Sequence, residues 1–409
     1  MNRPRIALVV PALAASAGVG SVASFLLKTI KRKPHYELKL ISLAMSSADP
    51  CSVLLHRPAT WIRGISVQEG IYQGEKFYHV GALGGEIETQ RLKPRAALSA
   101  IIADCDLIQV VAGVPSWSLP VVGLDKPVVL QVATLTAVER RRRQEVEHGP
   151  LALWRRFMTR RVANLDRQAL GLVDAVMVEN PWMLNYARQL LKSHSTIVEY
   201  APPGLDLAEF TPLAERSFSS PYILCVGRLA DARKNVGLLL DAYAGLCRAL
   251  VDAPRLVLAG LSPPPEFFWR RAETLGVLEH IEFVSRPSSA ELRRLYRDAS
   301  IFASSSDEEG FGVAILEAMA SGVPVVSTRS GGPEGIVTDG CDGFLVPTGD
   351  SDAMTARLIL LMKDAVLNLR MGRAARATAE NRFEQNIAGD RYLEVYDRLL
   401  YRRDKRCRD

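Results

Sequence analysis

The sequence lacks the cysteine spacing of a metal site or a disulfide framework. Its six cysteines include no C-x-x-C pair, and they do not cluster with histidines along the chain. Neither zinc nor a disulfide scaffold is therefore predicted, and a reducing compartment fits best. The cysteines lie at positions 51, 105, 225, 247, 341 and 407.

Long apolar runs are also missing. No stretch reaches the ~18 consecutive apolar residues that a membrane-spanning helix needs. The N-terminal MNRPRIALVVPALAAS has the basic start of a signal peptide, but Pro11 interrupts its apolar run. We interpret that run as a first strand. The sequence predicts a cytoplasmic protein, with peripheral attachment to the inner face of a membrane as an option.

Charge and apolar content are those of an ordinary globular protein. Of the 409 residues, 48% are hydrophobic and 23% are charged, which argues against extensive disorder. Because single cores stop growing near ~250–300 residues, we expect two. The net charge of +6 fits an anionic partner such as a nucleotide diphosphate or a phospholipid surface. No nucleic-acid-binding module is recognisable, and no nucleic-acid partner is expected.

Short apolar runs alternate with amphipathic stretches in both halves of the chain. This alternation predicts parallel strands covered by helices, and hence two doubly wound α/β domains. The runs lie at 6–10, 37–43, 107–111, 127–132 and 175–179, and again at 222–227, 255–260, 281–285, 300–306 and 324–328. The segment 200–222, rich in proline and serine, is interpreted as a linker. The predicted divisions are 1–205, 215–380 and a final helical stretch, 381–409.

The segment DEEGFGVAILEAMASGVPVV, residues 307–326, is the most informative. Gly310 and Gly312 form a turn after a strand, and an amphipathic helix follows. A glycine turn that leads into a helix N-terminus binds anions, because free N–H groups and the helix dipole face the ligand. Glu309 and Glu317 would repel a diphosphate, so we expect them to contact sugar or ribose hydroxyls.

The segment VGRLADARKN, residues 226–235, carries cations just after a predicted strand. Ligands of open α/β sheets bind beyond the carboxyl ends of the strands. Arg228 and Lys234 are therefore predicted to neutralise phosphates, while Arg233 is expected to be solvated.

A third segment, SGGPEGIVTDGCDGFLV at 330–346, begins with a tight glycine turn. Glu334 could reach a ligand hydroxyl or orient the loop. Gly340 and Gly343 look like the turn of a hairpin.

Residues 222–346 resemble the retaining glycosyltransferases of family 4, which have the GT-B architecture. Glu309 and Glu317 match the family's E-x7-E motif, VGRLADARKN its G-R-L…K-N segment, and GGPEGIVTDG its G-G-x-x-E-like loop. PPGLDLAEFTP (202–212) resembles the family's linker. Several matches in the right order cover most of the second domain.

The resemblance implies an enzyme with two Rossmann-like domains facing a central cleft. It would move a sugar from a nucleotide-diphosphate sugar to an acceptor hydroxyl with retention, in polysaccharide, glycolipid or other glycoconjugate synthesis. The acceptor would be a glycan, a lipid-linked glycan or a small molecule, with no metal and no cofactor beyond the donor. The last helix would cross back to the first domain. The implied catalytic residues are Glu309, Arg228 and Lys234, and the donor-binding residues are Gly310, Phe311, Gly312, Glu317, Gly18 and Arg286.

The first domain departs from the family pattern. Where relatives carry histidines after two strands, this chain has Gln109 and the stretch beginning at Gln131. His148 lies nearby in a charged loop and is expected to be solvated. A non-catalytic sugar-nucleotide-binding subunit and a related GT-B epimerase or phosphorylase therefore stay open. A dehydrogenase is disfavoured, because AGVGSVAS lacks a full G-x-G-x-x-G.

Residues 139–170 carry nine arginines against four acidic residues, interleaved with apolar side chains. This composition is typical of an interfacial helix on an anionic membrane. It also fits a helix that packs on its own domain, or a direct site for an anionic acceptor. The sequence leaves the three interpretations open.

Overall fold

The computed structural model describes residues 3–13, 17–213 and 220–406. The chain divides into two compact units. Unit 1 comprises Met1–Gly204 and Gln385–Asp409, and unit 2 comprises Leu205–Glu384. Part of the predicted linker, 214–219, lies outside the described residues. Each unit has its own sheet and its own hydrophobic core, as the alternating pattern predicts.

Unit 1 is built on an eight-stranded sheet. Its strands are β1 (Arg5–Pro11), β2 (Glu37–Leu43), β3 (Val67–Tyr72), β4 (Glu75–Val80), β5 (Leu107–Ala112), β6 (Val128–Val132), β7 (Ala175–Val178) and β8 (Ile197–Tyr200). They lie in the order β3-β4-β2-β1-β5-β6-β7-β8. All pairs are parallel except β3 and β4, which form a hairpin at one edge.

Helices cover both faces of this sheet. They are α1 (Ala17–Lys31), α2 (Ala59–Arg63), α3 (Glu88–Arg91), α4 (Ala96–Ile102), α5 (Thr136–Glu139), α6 (Arg141–Val146), α7 (Pro150–Gly171) and α8 (Pro181–Leu190). The central strands β1, β5, β6 and β7 are almost wholly buried, which explains their continuous apolar runs.

Unit 2 contains a six-stranded, wholly parallel sheet. Its strands are β9 (Tyr222–Val226), β10 (Arg255–Gly260), β11 (Ile281–Ser285), β12 (Ile301–Ser304), β13 (Val325–Thr328) and β14 (Gly343–Val346). The order is β11-β10-β9-β12-β13-β14, so the chain order reverses between β9 and β12. Such a switch point opens a crevice beyond the carboxyl ends of the two strands.

The helices of unit 2 are α9 (Val236–Ala249), α10 (Glu266–Thr274), α11 (Ser289–Asp298), α12 (Val313–Ala320), α13 (Pro333–Ile336), α14 (Ser351–Lys363) and α15 (Ala365–Phe383). Several begin at a side-chain cap. Ser288 and Glu291 form a capping box on α11, and Asp350 accepts from the N–H of Ala353 at the start of α14.

The last helix, α16 (Gln385–Arg406), belongs to the core of unit 1. Tyr392 and Tyr396 are fully buried there. The Tyr392 hydroxyl donates to the Ala201 carbonyl at 2.5 Å, and the Tyr396 hydroxyl donates to Gln109 Oε1 at 2.8 Å. These bonds attach the end of the chain to the first sheet.

Candidate functional site

Two of the predicted segments meet in unit 2 because their strands are neighbours. β9 leads into the loop of 227–235, and β12 leads into the loop of 305–312. The two loops are joined by main-chain and side-chain bonds. Asp307 N–H donates to the Arg233 carbonyl at 2.7 Å, Ser305 Oγ donates to the Lys234 carbonyl at 2.9 Å, and Asn235 Nδ2 donates to Asp307 Oδ1 at 2.9 Å. The residues that the motifs predicted therefore lie together at the switch point.

The first loop holds its three cations in different ways. Arg233 is half-buried, and its guanidinium binds Asp231 at 2.8 Å and Glu308 at 2.9 Å, so the expectation that it is solvated was wrong. Although burial raises the pKa of Asp231, the hydrogen bonds and charge of Arg233 outweigh it and lower that pKa. Arg228 remains 60% exposed and reaches Asp231 only at 3.5 Å. Its guanidinium is thus the cation most available to a ligand anion.

The Lys234 ammonium forms an ion pair with Glu309 Oε2. Ser306 Oγ donates to the same oxygen at 3.4 Å. The pair links the two strongest motifs, and its side chains are 21% and 19% exposed. A positive and a negative group thus stand side by side, so one ligand can meet a cation for phosphate and an acceptor for hydroxyls.

The glycine turn positions the N-terminus of α12. Gly312 has φ +104° and precedes Val313, the first residue of the helix. Gly312 has no side chain to cap this terminus. Ile315 N–H donates to the Gly312 carbonyl at 2.9 Å, which leaves the N–H groups of Val313 and Ala314 at the open end of the helix. Phe311 is 4% exposed and its ring packs near Phe383, with centroids 6.1 Å apart. Phe311 can therefore offer a ligand its backbone but not its ring.

The third segment lies against this turn. Glu309 N–H donates to the Ser330 carbonyl at 2.9 Å, and Gly332 N–H donates to the Glu309 carbonyl at 2.8 Å. A Cβ on Gly332 would stand 2.3 Å from the Phe311 carbonyl oxygen, so only glycine allows this approach. Glu334 Oε2 accepts from Gly331 N–H at 2.9 Å. The carboxylate of Glu334 thus orients the loop, which was one of the two roles expected of it.

Glu317 has a partner that sequence reasoning missed. The Tyr296 hydroxyl, on the neighbouring helix α11, donates to Glu317 Oε2 at 2.6 Å. Burial raises the pKa of Glu317 to about 7, although the Tyr296 bond acts in the opposite direction. The helical spacing of ELRRLY, which turns Tyr296 toward the core, was the available signal.

The raised pKa of Glu317 predicts a pH-dependent stability. The native carboxyl keeps its proton to about pH 7, whereas the unfolded one ionises near 4.5, so this stabilisation is complete at low pH and is lost as pH rises through 7. Between about pH 5 and about pH 8, the wild-type free energy of unfolding should fall by roughly 2–3 kcal/mol more than that of Glu317→Gln. Urea unfolding of both proteins measures this. Parallel pH profiles would contradict the assignment.

The other predicted residues lie further from this cluster. Arg286 is exposed just after β11, two strands from β9, and its N–H donates to the Gly260 carbonyl at 2.8 Å. Gly18 belongs to unit 1, in the first turn of α1, where an added Cβ would meet nothing within 4 Å. Their roles in donor binding stay predictions.

The two glutamines at the histidine positions are structural in unit 1. Gln109 is fully buried and accepts the bond from Tyr396, while Gln131 is 1% exposed and donates to Glu179. His148 is exposed, as expected.

Known proteins resemble part of this chain in sequence and nearly all of it in fold. Residues 215–378 match the family model described as glycosyl transferases group 1. A GDP-mannose-dependent alpha-(1-6)-phosphatidylinositol monomannoside mannosyltransferase of Mycolicibacterium smegmatis is 34% identical over 217 residues, covering 49% of this chain and 56% of that protein. A D-inositol 3-phosphate glycosyltransferase of Corynebacterium urealyticum is 30% identical over 276 residues, covering 62% of this chain and 63% of that protein. The matches thus span less than two thirds of either relative.

Solved structures resemble the whole chain in fold. Sucrose-phosphate synthase from Thermosynechococcus elongatus has a TM-score of 0.70 at 20% identity and covers 98% of this chain and 100% of its own. The Anabaena HepE protein, solved with UDP and glucose, has a TM-score of 0.66 at 15% identity, covering 96% and 99%. At these identities the likeness concerns the fold alone.

Proposed function

We propose that this protein transfers a sugar from a nucleotide-diphosphate sugar to an acceptor hydroxyl, because residues 215–378 match the glycosyl transferases group 1 family model and the chain has the GT-B fold. The observation that carries the proposal is the Lys234–Glu309 pair, which lies beside the exposed Arg228 and the uncapped N-terminus of α12. Cations and helix N–H groups bind the diphosphate, and the carboxylate binds sugar hydroxyls.

In the proposed reaction, the bond between the anomeric carbon and the diphosphate breaks while the acceptor oxygen forms the new glycosidic bond. The leaving diphosphate gains negative charge, which Arg228, Lys234 and the α12 N-terminus stabilise. A diphosphate oxygen accepts the proton of the acceptor hydroxyl, on the same face of the sugar, and the anomeric configuration is retained. Glu317, beside Tyr296, is assigned to the ribose hydroxyls.

The donor and acceptor classes follow from the names of the relatives. The Mycolicibacterium relative is named for GDP-mannose and a phosphatidylinositol mannoside, and the Corynebacterium relative for an inositol phosphate. We therefore propose a GDP-sugar donor and an acceptor that carries an inositol or a related polyol, on a glycolipid or a small molecule.

A thermal-shift series with UDP, GDP, ADP, dTDP and CMP tests the donor site. A ligand that binds the native state raises the unfolding midpoint by mass action. We expect GDP to give the largest rise. If none of the nucleotides raises the midpoint of the folded protein, the proposed donor site is refuted.

The basic segment supports a peripheral attachment to an anionic membrane, which we include in the proposal. Helix α7 buries one face, which includes Val162 and Asp166. On the opposite face Leu153, Trp154 and Phe157 are 65%, 58% and 51% exposed. These three apolar side chains are thus outside the core, while α7 also packs on its own domain through its buried face, as one of the other interpretations expects. No described helix is both long and apolar enough to cross a bilayer.

The charges of the same face fit anionic lipid. Arg160 and Arg161 are exposed beside the aromatic side chains, with the Arg161 guanidinium 5.9 Å from the centre of the Phe157 ring. Asp166, the one acidic residue of α7, is 1% exposed and accepts from the N–H groups of Ser116 and Thr136. The outward face therefore combines cations with apolar rings and has no acidic side chain of its own helix.

Vesicle co-sedimentation checks this attachment. Each arginine near an anionic surface contributes about 1 kcal/mol, so Arg160→Ala with Arg161→Ala should weaken partition to phosphatidylglycerol vesicles about 10–30-fold at low salt. Phe157→Ala should weaken it as well, while Phe267→Ala, which removes a ring that is 55% exposed in unit 2, should not. Equal partition of the wild type and the double arginine variant would refute the attachment.

A further inference from the structure

A cluster of metal-ligand side chains lies in unit 1, outside the donor site. It forms where β2 and β4 are neighbours, with Ser42 directly opposite His79 in the parallel register. Gln68, on β3, is opposite His79 on its other side. Because residues directly opposite in a sheet point to the same face, these three side chains share one face near the edge of the sheet.

The chain after β2 folds back over this face and brings Asp49 and Cys51 to His79. A Cβ on Gly81 would stand 1.9 Å from the Cys51 carbonyl oxygen, so glycine is required for the close approach. His79 Nε2 lies 2.7 Å from Asp49 Oδ2. The ligand atoms of Asp49, Cys51 and His79 all lie within 4.8 Å of one another. In the part of the chain that the structure describes, no other group of three reaches this proximity.

Two side chains of the cluster, those of His79 and Asp49, are each oriented by a second contact. His79 Nδ1 lies 3.0 Å from Ser42 Oγ, which leaves Nε2 facing the cluster. Asp49 Oδ1 accepts from Cys51 N–H at 2.9 Å and from Ser52 Oγ at 3.2 Å, which leaves Oδ2 facing the cluster. Metal-binding histidines and carboxylates are commonly held in this way by partners behind them.

The types of the three side chains define the class of metal. Thiolate, imidazole and carboxylate together suit Zn²⁺, whose bonds to sulfur, nitrogen and oxygen are ~2.0–2.3 Å long. Asp49 and Cys51 are 7% and 4% exposed, so water competes little for the site. Gln68 Oε1, 3.8 Å from Cys51 Sγ, or a water can complete four ligands.

We propose that Asp49, Cys51 and His79 bind one Zn²⁺ ion, which fastens the segment after β2 to the β3–β4 hairpin. Binding needs no oxidant or reductant. The metal–sulfur bond forms as the Cys51 thiol loses its proton to solvent. The neutral imidazole of His79 then carries its ring proton on Nδ1 instead of Nε2. The Nδ1–H donates a hydrogen bond to Ser42 Oγ, and the freed Nε2 binds the metal. The site shares no residue with the predicted donor-binding set and does not depend on the proposed sugar transfer.

Cobalt substitution provides the test, because Co²⁺ takes zinc sites and its thiolate complexes have a charge-transfer band. The purified 409-residue chain, stripped with a chelator, is titrated with CoCl₂ and then with ZnCl₂. We expect one Co²⁺ per chain, a thiolate band, and its loss when Zn²⁺ displaces cobalt. Cys51→Ser should abolish the band and Asp49→Asn should weaken cobalt binding at least tenfold, while Cys341→Ser, at an exposed cysteine of unit 2, should leave both unchanged.

Several outcomes overturn the proposal. A wild-type protein without a thiolate band has no such site. A band that persists in Cys51→Ser belongs to another cysteine. Asp49→Asn keeps an oxygen that can accept from Cys51 N–H and Ser52 Oγ, so this variant should fold even if Cys51→Ser does not. Wild-type cobalt affinity in folded Asp49→Asn would mean that Asp49 and His79 form only a structural hydrogen bond.

Discussion

Replacing Arg228 by alanine should lower kcat/KM for sugar transfer about 10²–10³-fold, as the loss of one donor to a developing anion does in other enzymes. The fold should be unaffected, because the Arg228 side chain is 60% exposed and its ion pair with Asp231, the one it makes among the described residues, is 3.5 Å long. Asp231 keeps its bond to Arg233 at 2.8 Å in the variant. Initial rates at subsaturating donor, together with thermal unfolding, measure both effects.

The matched control for this variant is Arg255→Ala. Arg255 is also an exposed arginine of unit 2, 56% exposed and paired with Glu282 at 3.0 Å, but it lies at the start of β10, the opposite end of that strand from the site. It should keep wild-type kinetics. Similar losses of kcat/KM in both variants would mean that the overall positive charge of unit 2, and not the position of Arg228, assists the reaction.

The Lys234–Glu309 pair should separate stability from activity. Lys234→Met leaves the Glu309 carboxylate, 19% exposed, without its cation, which should destabilise unit 2 by roughly 1–3 kcal/mol. It should also lower kcat/KM by about 10³-fold, since it removes a phosphate cation and leaves an anion in its place. Glu309→Gln should lower kcat/KM about 10²-fold through lost hydroxyl contacts.

The double variant Lys234→Met with Glu309→Gln is the decisive member of this series. Because neither uncompensated charge remains, the double variant should regain most of the lost stability. Its kcat/KM should stay near that of the less active single variant. Thermal unfolding and steady-state rates measure the two quantities. Recovery of activity together with stability would show that the pair only supports the fold.

The donor segments could be predicted from sequence because their signals are local. Each combines an apolar run, a glycine turn and charged residues within about one strand–loop–helix unit, and parallel strands bring such loops to one edge. The ten apolar runs all form strands. The sequence did not predict the β3–β4 hairpin, because VQEGIY is largely exposed and EKFYHV is only partly buried, so neither forms a continuous apolar run. It also did not predict the four-residue strands β8 and β14. Gly343, interpreted as part of a hairpin turn, instead begins β14, which is parallel to β13.

Contacts between residues far apart in the chain could not be predicted from the sequence. Nothing along the chain pairs Cys51 with His79, because they are 28 positions apart with β3 between them. They meet only because the loop after β2 folds back over β4. The buried residues of the basic segment, 139–170, could not be predicted for a different reason. Its apolar residues occur all round the helix, so periodicity could not tell that Val162 is buried while Trp154 is exposed.

The central claim is that the chain catalyses sugar transfer, and a product assay tests it most directly. Purified protein is incubated with GDP-mannose, UDP-glucose and related nucleotide sugars together with a lipid and polyol extract. Mass spectrometry follows the products, and NMR gives their anomeric configuration. The account predicts that one donor releases its nucleoside diphosphate and yields a glycosylated product of retained configuration, with little product from Arg228→Ala. Binding of a nucleotide sugar without release of its diphosphate would identify a non-catalytic sugar-nucleotide-binding protein instead.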